Sequence, residues 1–187
     1  MRDLYIQAAI LNYDRTEDSC RLALAMIQQG VPTHVVSTFA SRDAGITVPT
    51  EVEIDEHAGE SDWYGGKFFR GAERMLDRGA EILGFFACDC VVPDVAALVG
   101  RVRDVFERYP QVAVYMPDCH WSFWLCDRRF APAIDKQQGL YETPALDSTC
   151  WFVRRPIAAT LVAHKQSPHH GWGLERAAIW LCRRQGA

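Results

Sequence analysis

The chain has 187 residues, of which 49% are hydrophobic, which is enough for one domain with a substantial core. Its 24 acidic and 20 basic residues give a formal net charge of -4 and are interleaved along the sequence. Because no basic stripe exists that would follow a phosphate backbone, nucleic acid is excluded as an expected partner.

The N-terminal segment MRDLYIQAAILNYDR contains an apolar run that is too short for a signal peptide or a membrane span, and charged residues follow it at once. We therefore expect a cytoplasmic protein without a membrane span. The chain has seven cysteines, an odd number, and several lie in apolar runs, as expected for free thiols in a reducing compartment. The cysteines in apolar runs are Cys88, Cys90, Cys150 and Cys182.

The first part of the chain predicts a strand, a helix and two further strands. Residues 4–11 form a near-continuous apolar run, which is typical of a strand covered on both faces. A helix is predicted over residues 17–29, with Thr16 as its capping residue. The β-branched and aromatic residues 33–39 predict a second strand, and residues 52–54 predict a short third one.

The middle of the chain continues the alternation. The segment GGKFFRGAERMLDRG has apolar residues on one face of a helix that ends at Gly79, and a strand over residues 81–87 follows. Pro93 fits the first position of another helix, which carries an apolar stripe up to Tyr109 before a strand over residues 112–116. This alternation predicts a three-layer α/β fold with a mainly parallel, doubly wound sheet, and such sheets bind ligands at the carboxyl ends of their strands.

The alternation breaks after residue 116. Residues 117–147 are rich in aromatic residues, prolines and charges without a clear period, so we expect a long and partly ordered loop region. Its aromatic side chains would wall a ligand pocket, form a small local core or contribute to a homo-oligomer interface. A strand over residues 148–155 and a terminal helix over residues 173–186 follow.

Acidic residues follow three of the predicted strands. Asp14 comes after the first strand, Asp43 after the second and Asp89 after the fourth. Converging exits would form an acidic crevice suited to Mg2+ or Mn2+, which prefer carboxylate oxygens and bridge the phosphates of a nucleotide. The alternative is that Asp14 and Asp43 cap helices or solvate loops. Asp89 lies between two cysteines after an apolar run, so we expect a partly buried carboxylate that needs a cation or hydrogen-bond donors.

Several motifs, in the order in which they occur, are similar to those of one enzyme family. In the run GGKFFRGAERMLDRGAEILGFFACDCVVPD (65–94), a helix rich in small residues leads into a hydrophobic strand that ends in an acidic motif and a proline. Three further segments match in order: ILNYDR as a first strand and nucleotide loop, DSTCWFVRRPI as an acceptor-side strand, and HHGWGLERAAIWLCRRQG as a Gly-Trp-Gly-x-Glu segment that opens a helix. On these motifs the chain resembles the family 2 glycosyltransferases of the GT-A fold.

The resemblance implies transfer of a sugar from a nucleotide diphosphate sugar to a hydroxyl of a saccharide or another acceptor, usually with inversion and with Mn2+ or Mg2+. Asp89 matches the last Asp of the family's Asp-x-Asp metal motif and would bind the metal and the diphosphate. Asp14 and Asp43 match the region that holds the base and the ribose. Glu175 matches the acid that removes the acceptor's proton, and Trp172 would offer a flat face to a sugar ring. The expected organisation is one GT-A-like domain over residues 1–187, with a nucleotide-binding half (1–116) and an acceptor-side half (117–187).

The sequence departs from the family motif at the fourth predicted strand. Ala87 stands where the family has its first Asp, and Cys88 occupies the middle position, so one expected metal ligand is replaced. His169 and His170, directly before the Gly-Trp-Gly segment, would either supply a nitrogen ligand or belong to a solvated loop. The replacement leaves open a catalytically degenerate domain that binds a nucleotide sugar or a partner protein without turnover.

Two further hypotheses use the cysteines. A zinc-binding module would need four tetrahedral ligands, and the spacing of the available residues departs from the usual paired Cys-x2-Cys arrangement. Those residues are Cys88, Cys90, Cys119, His120 and Cys126. Nucleophilic catalysis would need Cys119 or Cys150 within reach of His120 or His164 as the base.

Overall fold

The computed structural model of the chain describes residues 4–37, 46–56, 64–118, 131–164 and 173–185. Four of the predicted site residues lie outside these ranges: Asp43, His169, His170 and Trp172. Three residues of the cysteine hypotheses also lie outside them: Cys119, His120 and Cys126.

The described residues form strands and helices that alternate along most of the chain. The elements are β1 (Ile6–Asn12), α1 (Thr16–Gln28), β2 (Thr33–Ser37), β3 (Glu53–Glu56), α2 (Tyr64–Asp77), β4 (Ile82–Ala87), α3 (Val95–Arg108), β5 (Val114–Tyr115), β6 (Ala133–Asp135), β7 (Leu140–Tyr141), β8 (Cys150–Arg154), α4 (Arg155–Ala163) and α5 (Leu174–Gln185).

A six-stranded sheet with the order β3-β2-β1-β4-β8-β5 forms the centre of the fold. Strands β3, β2, β1 and β4 are parallel, and β8 pairs antiparallel with both β4 and β5. Strand β5 therefore runs in the direction of β4. The prediction of a mainly parallel α/β sheet is confirmed, with β8 as the one strand of this sheet that runs the other way.

Helices cover both faces of the sheet, which confirms the predicted three layers. On one face α1 and α3 pack into a core with Ile10 and Phe86, and on the other face α2, α4 and α5 pack around Phe85 and Trp151. Every residue of β1 is buried, as the continuous apolar run predicts.

Two predicted helix starts are wrong. Arg15 is the N-cap of α1 and Thr16 is its first residue, because the Thr16 hydroxyl accepts a hydrogen bond from the Asn12 amide and does not cap the helix. Helix α3 begins at Val95 instead of Pro93, because the Asp94 carboxylate accepts the Ala97 N–H at 2.8 Å and so fixes the N-cap.

The region after residue 116 contains more regular structure than the sequence indicates. The predicted loop contains the antiparallel pair β6 and β7. The strand predicted over residues 148–155 ends at Arg154, where helix α4 begins at once. Pro156 lies in the first turn of α4, where a proline is tolerated, and Ile157 and Leu161 are buried one turn apart.

Gly71 lets helix α2 pack closely on the sheet, and Gly100 provides a matched control. A Cβ at Gly71 would lie 2.9 Å from the Cβ of Ala9, whereas a Cβ at the exposed Gly100 of α3 would meet nothing within 4 Å. We expect Gly71→Ala to lower the free energy of unfolding by about 1–3 kcal/mol through overpacking. Gly100→Ala should raise it by about 0.5–1 kcal/mol, because alanine favours the helix. Urea unfolding measures both, and a Gly71→Ala variant as stable as Gly100→Ala would contradict the close packing.

His34 on β2 makes stability depend on pH. It is 1% exposed, and its Nε2 has no hydrogen-bond partner in the described part of the chain. Burial, followed by the positive charges of Arg74 and Arg78, lowers the pKa of His34 to about 4, against the opposing charge of Asp55.

The depressed pKa of His34 sets the sign of this dependence. Between about pH 6.5 and pH 4 the unfolded chain binds a proton at His34 that the folded chain does not, so stability falls as the pH falls through this window. The full loss is about 3 kcal/mol. His34→Gln should remove this part of the slope in urea unfolding between pH 7 and pH 4, whereas His164→Gln, at an exposed position, should keep it. The same slope in both variants would assign the effect to other groups.

Candidate functional site

The exits of β1 and β4 are neighbours at the carboxyl edge of the sheet. Leu11 of β1 pairs with Ala87 of β4, while the chain leaves β1 towards β2 on the opposite side. The strand order therefore reverses between β1 and β4, and ligands of open α/β sheets bind outside such a reversal. Because β8 is antiparallel, its first residue, Cys150, lies at the same edge, opposite Phe86.

The buried side chain of Asn12 organises the β1 exit. Its amide donates to Thr16 Oγ1 at 2.8 Å and to Ser37 Oγ at 3.0 Å. Its carbonyl oxygen accepts the Arg15 N–H and the Ser19 hydroxyl, each at 3.1 Å. These bonds join the end of β2 to the start of α1 and fix the loop that carries Tyr13 and Asp14.

A buried lysine provides a positive charge at the β1 exit. Lys67 of α2 is 2% exposed, and its Nζ lies 4.3 Å from the centroid of the half-buried Tyr13 ring. Asp14 follows at an exposed position. Lys67 was not predicted as a site residue, although its spacing of four from Gly71 and of eight from Met75, both buried, places it on the inner face of α2.

The β4 exit is a tight turn that carries Asp89. The Cys90 N–H donates to the Ala87 carbonyl at 3.0 Å, which closes the turn and leaves Asp89 exposed at its tip. The expectation of a partly buried Asp89 is therefore wrong, because the chain turns outward as soon as the strand ends. Cys88 and Cys90 also lie on this turn and not on the strand.

A second carboxylate, Asp147, lies beside this turn. The Ala87 N–H donates to the Thr149 carbonyl at 2.8 Å, and the half-buried Asp147 accepts the Thr149 N–H at 2.9 Å and its hydroxyl at 2.6 Å. The hydrogen bond with Cys150 lowers the pKa of the Cys90 thiol, while burial and the charges of Asp89 and Asp147 oppose this effect. Asp89 and Asp147 thus lie on the same side of the sheet edge, near one thiol.

Tyr64 at the start of α2 is hydrogen-bonded to β8 and to the segment that precedes it. Its hydroxyl donates to the Ser148 carbonyl at 2.8 Å and accepts the Trp151 Nε1–H at 2.9 Å. Burial raises the pKa of Tyr64 well above its usual range, and the charges of Glu175 and Asp147 raise it further. Glu175 is half-buried in the first turn of α5, and its charge is one of those that act on the Tyr64 hydroxyl.

The comparisons with known proteins concern the fold. No protein-family profile and no curated protein sequence matches the chain. Its structure matches 4-diphosphocytidyl-2C-methyl-D-erythritol synthase with a TM-score of 0.56 at 13% identity, over 97% of this chain and 86% of that one. Mannosyl-3-phosphoglycerate synthase from Rubrobacter xylanophilus matches with a TM-score of 0.53 at 11% identity, over 98% and 75% of the two chains.

A third match has the same type of fold. A proposed nucleotide-diphospho-sugar transferase from Desulfovibrio desulfuricans G20 matches with a TM-score of 0.50 at 10% identity, over 97% of this chain and 76% of that one. The chain has the GT-A-like fold of the nucleotide-diphospho-sugar transferases. This confirms the fold that the sequence motifs predict. Among the described residues, no helix has the length and apolar character to cross a membrane.

Two of the predicted site residues, Asp14 and Asp89, follow the neighbouring strands β1 and β4 at the carboxyl edge of the sheet, and a third, Glu175, acts through its charge on Tyr64. The described ranges contain no group of three His, Cys, Asp or Glu side chains that could hold a metal ion. The predicted contributions of Asp43, Trp172, His169 and His170 lie outside those ranges. Four residues at this edge were not predicted as site residues from the sequence: Tyr13, Tyr64, Lys67 and Asp147.

Removing the Tyr64 hydroxyl should loosen the edge. Tyr64→Phe leaves the Nε1–H of the fully buried Trp151 without its partner, so we expect a loss of about 1–3 kcal/mol in the free energy of unfolding. The control is Tyr141→Phe, because the Tyr141 hydroxyl makes no hydrogen bond within the described residues. Urea unfolding compares the two variants, and equal stability would show that the Tyr64 bonds are not formed in solution.

Proposed function

We propose that the protein transfers a sugar from a nucleotide diphosphate sugar to an acceptor hydroxyl, with inversion at the anomeric carbon. The proposal is supported by the exits of β1 and β4, which carry Asp14 and Asp89 side by side at the carboxyl edge of a sheet with the GT-A-like fold, and by the charge of Glu175 that acts on Tyr64. A donor between the β1 and β4 exits would have Asp89 on its diphosphate side and Glu175 on its acceptor side.

The β1 exit is proposed to bind the nucleotide. The half-buried Tyr13 ring offers a flat surface for a base, and the Lys67 ammonium beside it offers positive charge for the phosphates. Asp14 and Asp43 are proposed to bind the ribose or the base through their carboxylates.

Mn2+ or Mg2+ belongs to the proposal only through Asp89, His169 and His170. A divalent cation would neutralise the charge that develops on the departing diphosphate. The described residues contain no complete metal-binding group, and Ala87 stands where the resemblance implies an acidic ligand. Lys67 supplies part of the same positive charge from the protein itself.

Glu175 is proposed as the general base. Its carboxylate would take the proton of the acceptor hydroxyl while the acceptor oxygen bonds to the anomeric carbon and the bond from that carbon to the diphosphate oxygen breaks. The electron pair of the broken bond leaves with the nucleotide diphosphate. Trp172 is proposed to stack on a sugar ring, and residues 117–147 to contribute to the acceptor side.

Asp89→Asn tests donor binding. A nucleotide diphosphate sugar at a hundredfold its Kd should stabilise the wild-type protein by about 2.7 kcal/mol, and we expect Asp89→Asn to lose most of this stabilisation. Thermal unfolding with UDP- and GDP-linked sugars, with and without Mn2+, measures the effect. The control is Asp77→Asn, an exposed acid at the end of α2, which should bind as the wild type does. Unchanged binding in Asp89→Asn would place the donor site elsewhere.

Glu175→Gln separates binding from turnover. If Glu175 is the base, the variant should keep donor-dependent stabilisation while turnover falls by about 10²–10⁴-fold. Glu107→Gln on α3, at the opposite face of the sheet, is the matched control and should keep full activity. Release of nucleotide diphosphate from the stabilising donor is the assay, and equal turnover in the two variants would assign Glu175 to the helix N-terminus alone.

A second function is a catalytically degenerate domain that binds a nucleotide sugar or a partner protein. Ala87 favours it, because this position lacks the carboxylate that the resemblance implies. Metal-independent donor binding without release of nucleotide diphosphate would support this function. Donor binding with turnover would exclude it.

A further inference from the structure

Two cysteines meet beneath the turn that carries Asp89. Cys150 is the first residue of β8, lies opposite Phe86 and is 2% exposed. The turn closed by the Cys90 N–H and the Ala87 carbonyl brings Cys90 back towards this strand. Cys90 packs against the core cluster that contains Cys150, and the Cys150 side chain is near enough to lower the pKa of the Cys90 thiol.

The packing distinguishes this pair from the other cysteine on the turn. Cys150 belongs to the core on the α1 and α3 face, and the half-buried Cys90 packs against that core. Cys88 is also half-buried but lies outside that cluster. The two thiols lie on segments that a backbone hydrogen bond from Ala87 to Thr149 holds together, and a disulfide needs its two cysteines on segments held as neighbours in this way.

We propose that Cys90 and Cys150 form a redox modification site, in which a disulfide locks the Ala87–Cys90 turn onto β8 and fixes the position of Asp89. The oxidant is a hydroperoxide. Hydrogen peroxide first oxidises one thiol to a sulfenic acid, with one molecule of water released. The second thiol then attacks this sulfur, an S–S bond forms, and a second water leaves. The two sulfur atoms together lose two electrons, which reduce the O–O bond, and both thiol protons end in water.

The dithiol site itself does not depend on the proposed function. A bond between residues 90 and 150 would close a long loop and restrict the unfolded chain. In the folded protein it would tie the tip of the β4 exit to a buried strand. A reductant would reverse both effects by restoring the two thiols.

Peptide mapping after peroxide treatment of the full chain tests the bond. We expect a disulfide that joins the Cys90 and Cys150 peptides, a Tm higher by about 5 °C, and reversal of both by a dithiol reductant. Cys90→Ser should abolish the bond and the shift, and Cys88→Ser, two residues away on the same turn, should keep them. Cys90 is half-buried, so its serine variant tests the bond without placing a hydroxyl in the core.

The peptide map shows which cysteine, if any, is bonded to Cys90 after peroxide treatment. A disulfide from Cys90 to Cys88 or to another cysteine would overturn the proposed Cys90–Cys150 bond. The proposed bond would also be overturned if Cys90 and Cys150 were both still reduced in protein whose Cys88 is already oxidised. Hydrogen exchange adds a readout of the lock, because amides of residues 88–92 should exchange more slowly in the oxidised protein. Equal exchange rates in the two forms would overturn the lock.

A consequence for donor binding rests on the proposed function. Because Asp89 is held by the locked turn, oxidised and reduced wild-type protein should differ at least threefold in affinity for the stabilising nucleotide diphosphate sugar, whereas Cys90→Ser should show no difference after the same treatment. A mapped disulfide without a change in affinity would overturn this regulation. Absence of nucleotide binding in both forms would instead remove the proposed function.

Discussion

The hydrogen bond from the Ala87 N–H to the Thr149 carbonyl, at 2.8 Å, joins the end of one strand to the beginning of another that runs in the opposite direction. Because β8 enters the sheet antiparallel between β4 and β5, the residues that precede it lie at the same edge as the residues that follow β4. Asp147 thereby comes to lie beside the turn of Asp89. Asp147 therefore lies at this edge because β8 is antiparallel to β4.

The face of the sheet that packs against α2 holds this arrangement in place. Gly71 lets α2 approach β1 closely, and the same helix carries Lys67 to the β1 exit and Tyr64 to the segment before β8. Since Tyr64 also accepts the Trp151 N–H, the edge is anchored to the centre of the core. One helix therefore carries residues to both the β1 exit and the segment before β8.

Sequence patterns predicted the elements whose burial is uniform. The apolar runs of β1 and β4 and the stripe of α3 indicate their structure locally, and the exits that carry Asp14 and Asp89 follow from them. The direction of β8 cannot be predicted from its apolar residues, because the sequence CWFVR is equally compatible with a parallel and an antiparallel strand. Asp147 was missed for that reason.

Local structure accounts for the remaining differences between the predicted and the observed fold. The exposure of Asp89 depends on the closed turn after Ala87, and neighbouring cysteines in the sequence do not reveal whether such a turn points inward or outward. Helix α4 was missed because the strand signal of residues 150–154 passes directly into it, with a proline that is equally common in loops. Lys67 was not predicted to be buried, because a lysine next to an apolar helical stripe usually lies at the border of that stripe, where its charged end reaches water.

A crystal structure of the protein soaked with the nucleotide diphosphate sugar that stabilises it most, in the presence of Mn2+, tests directly whether the donor binds at the exits of β1 and β4. We expect the base near Tyr13, the diphosphate between Lys67 and the Ala87–Cys90 turn, and the sugar on the side of Glu175. A nucleotide bound away from the β1 and β4 exits would contradict it.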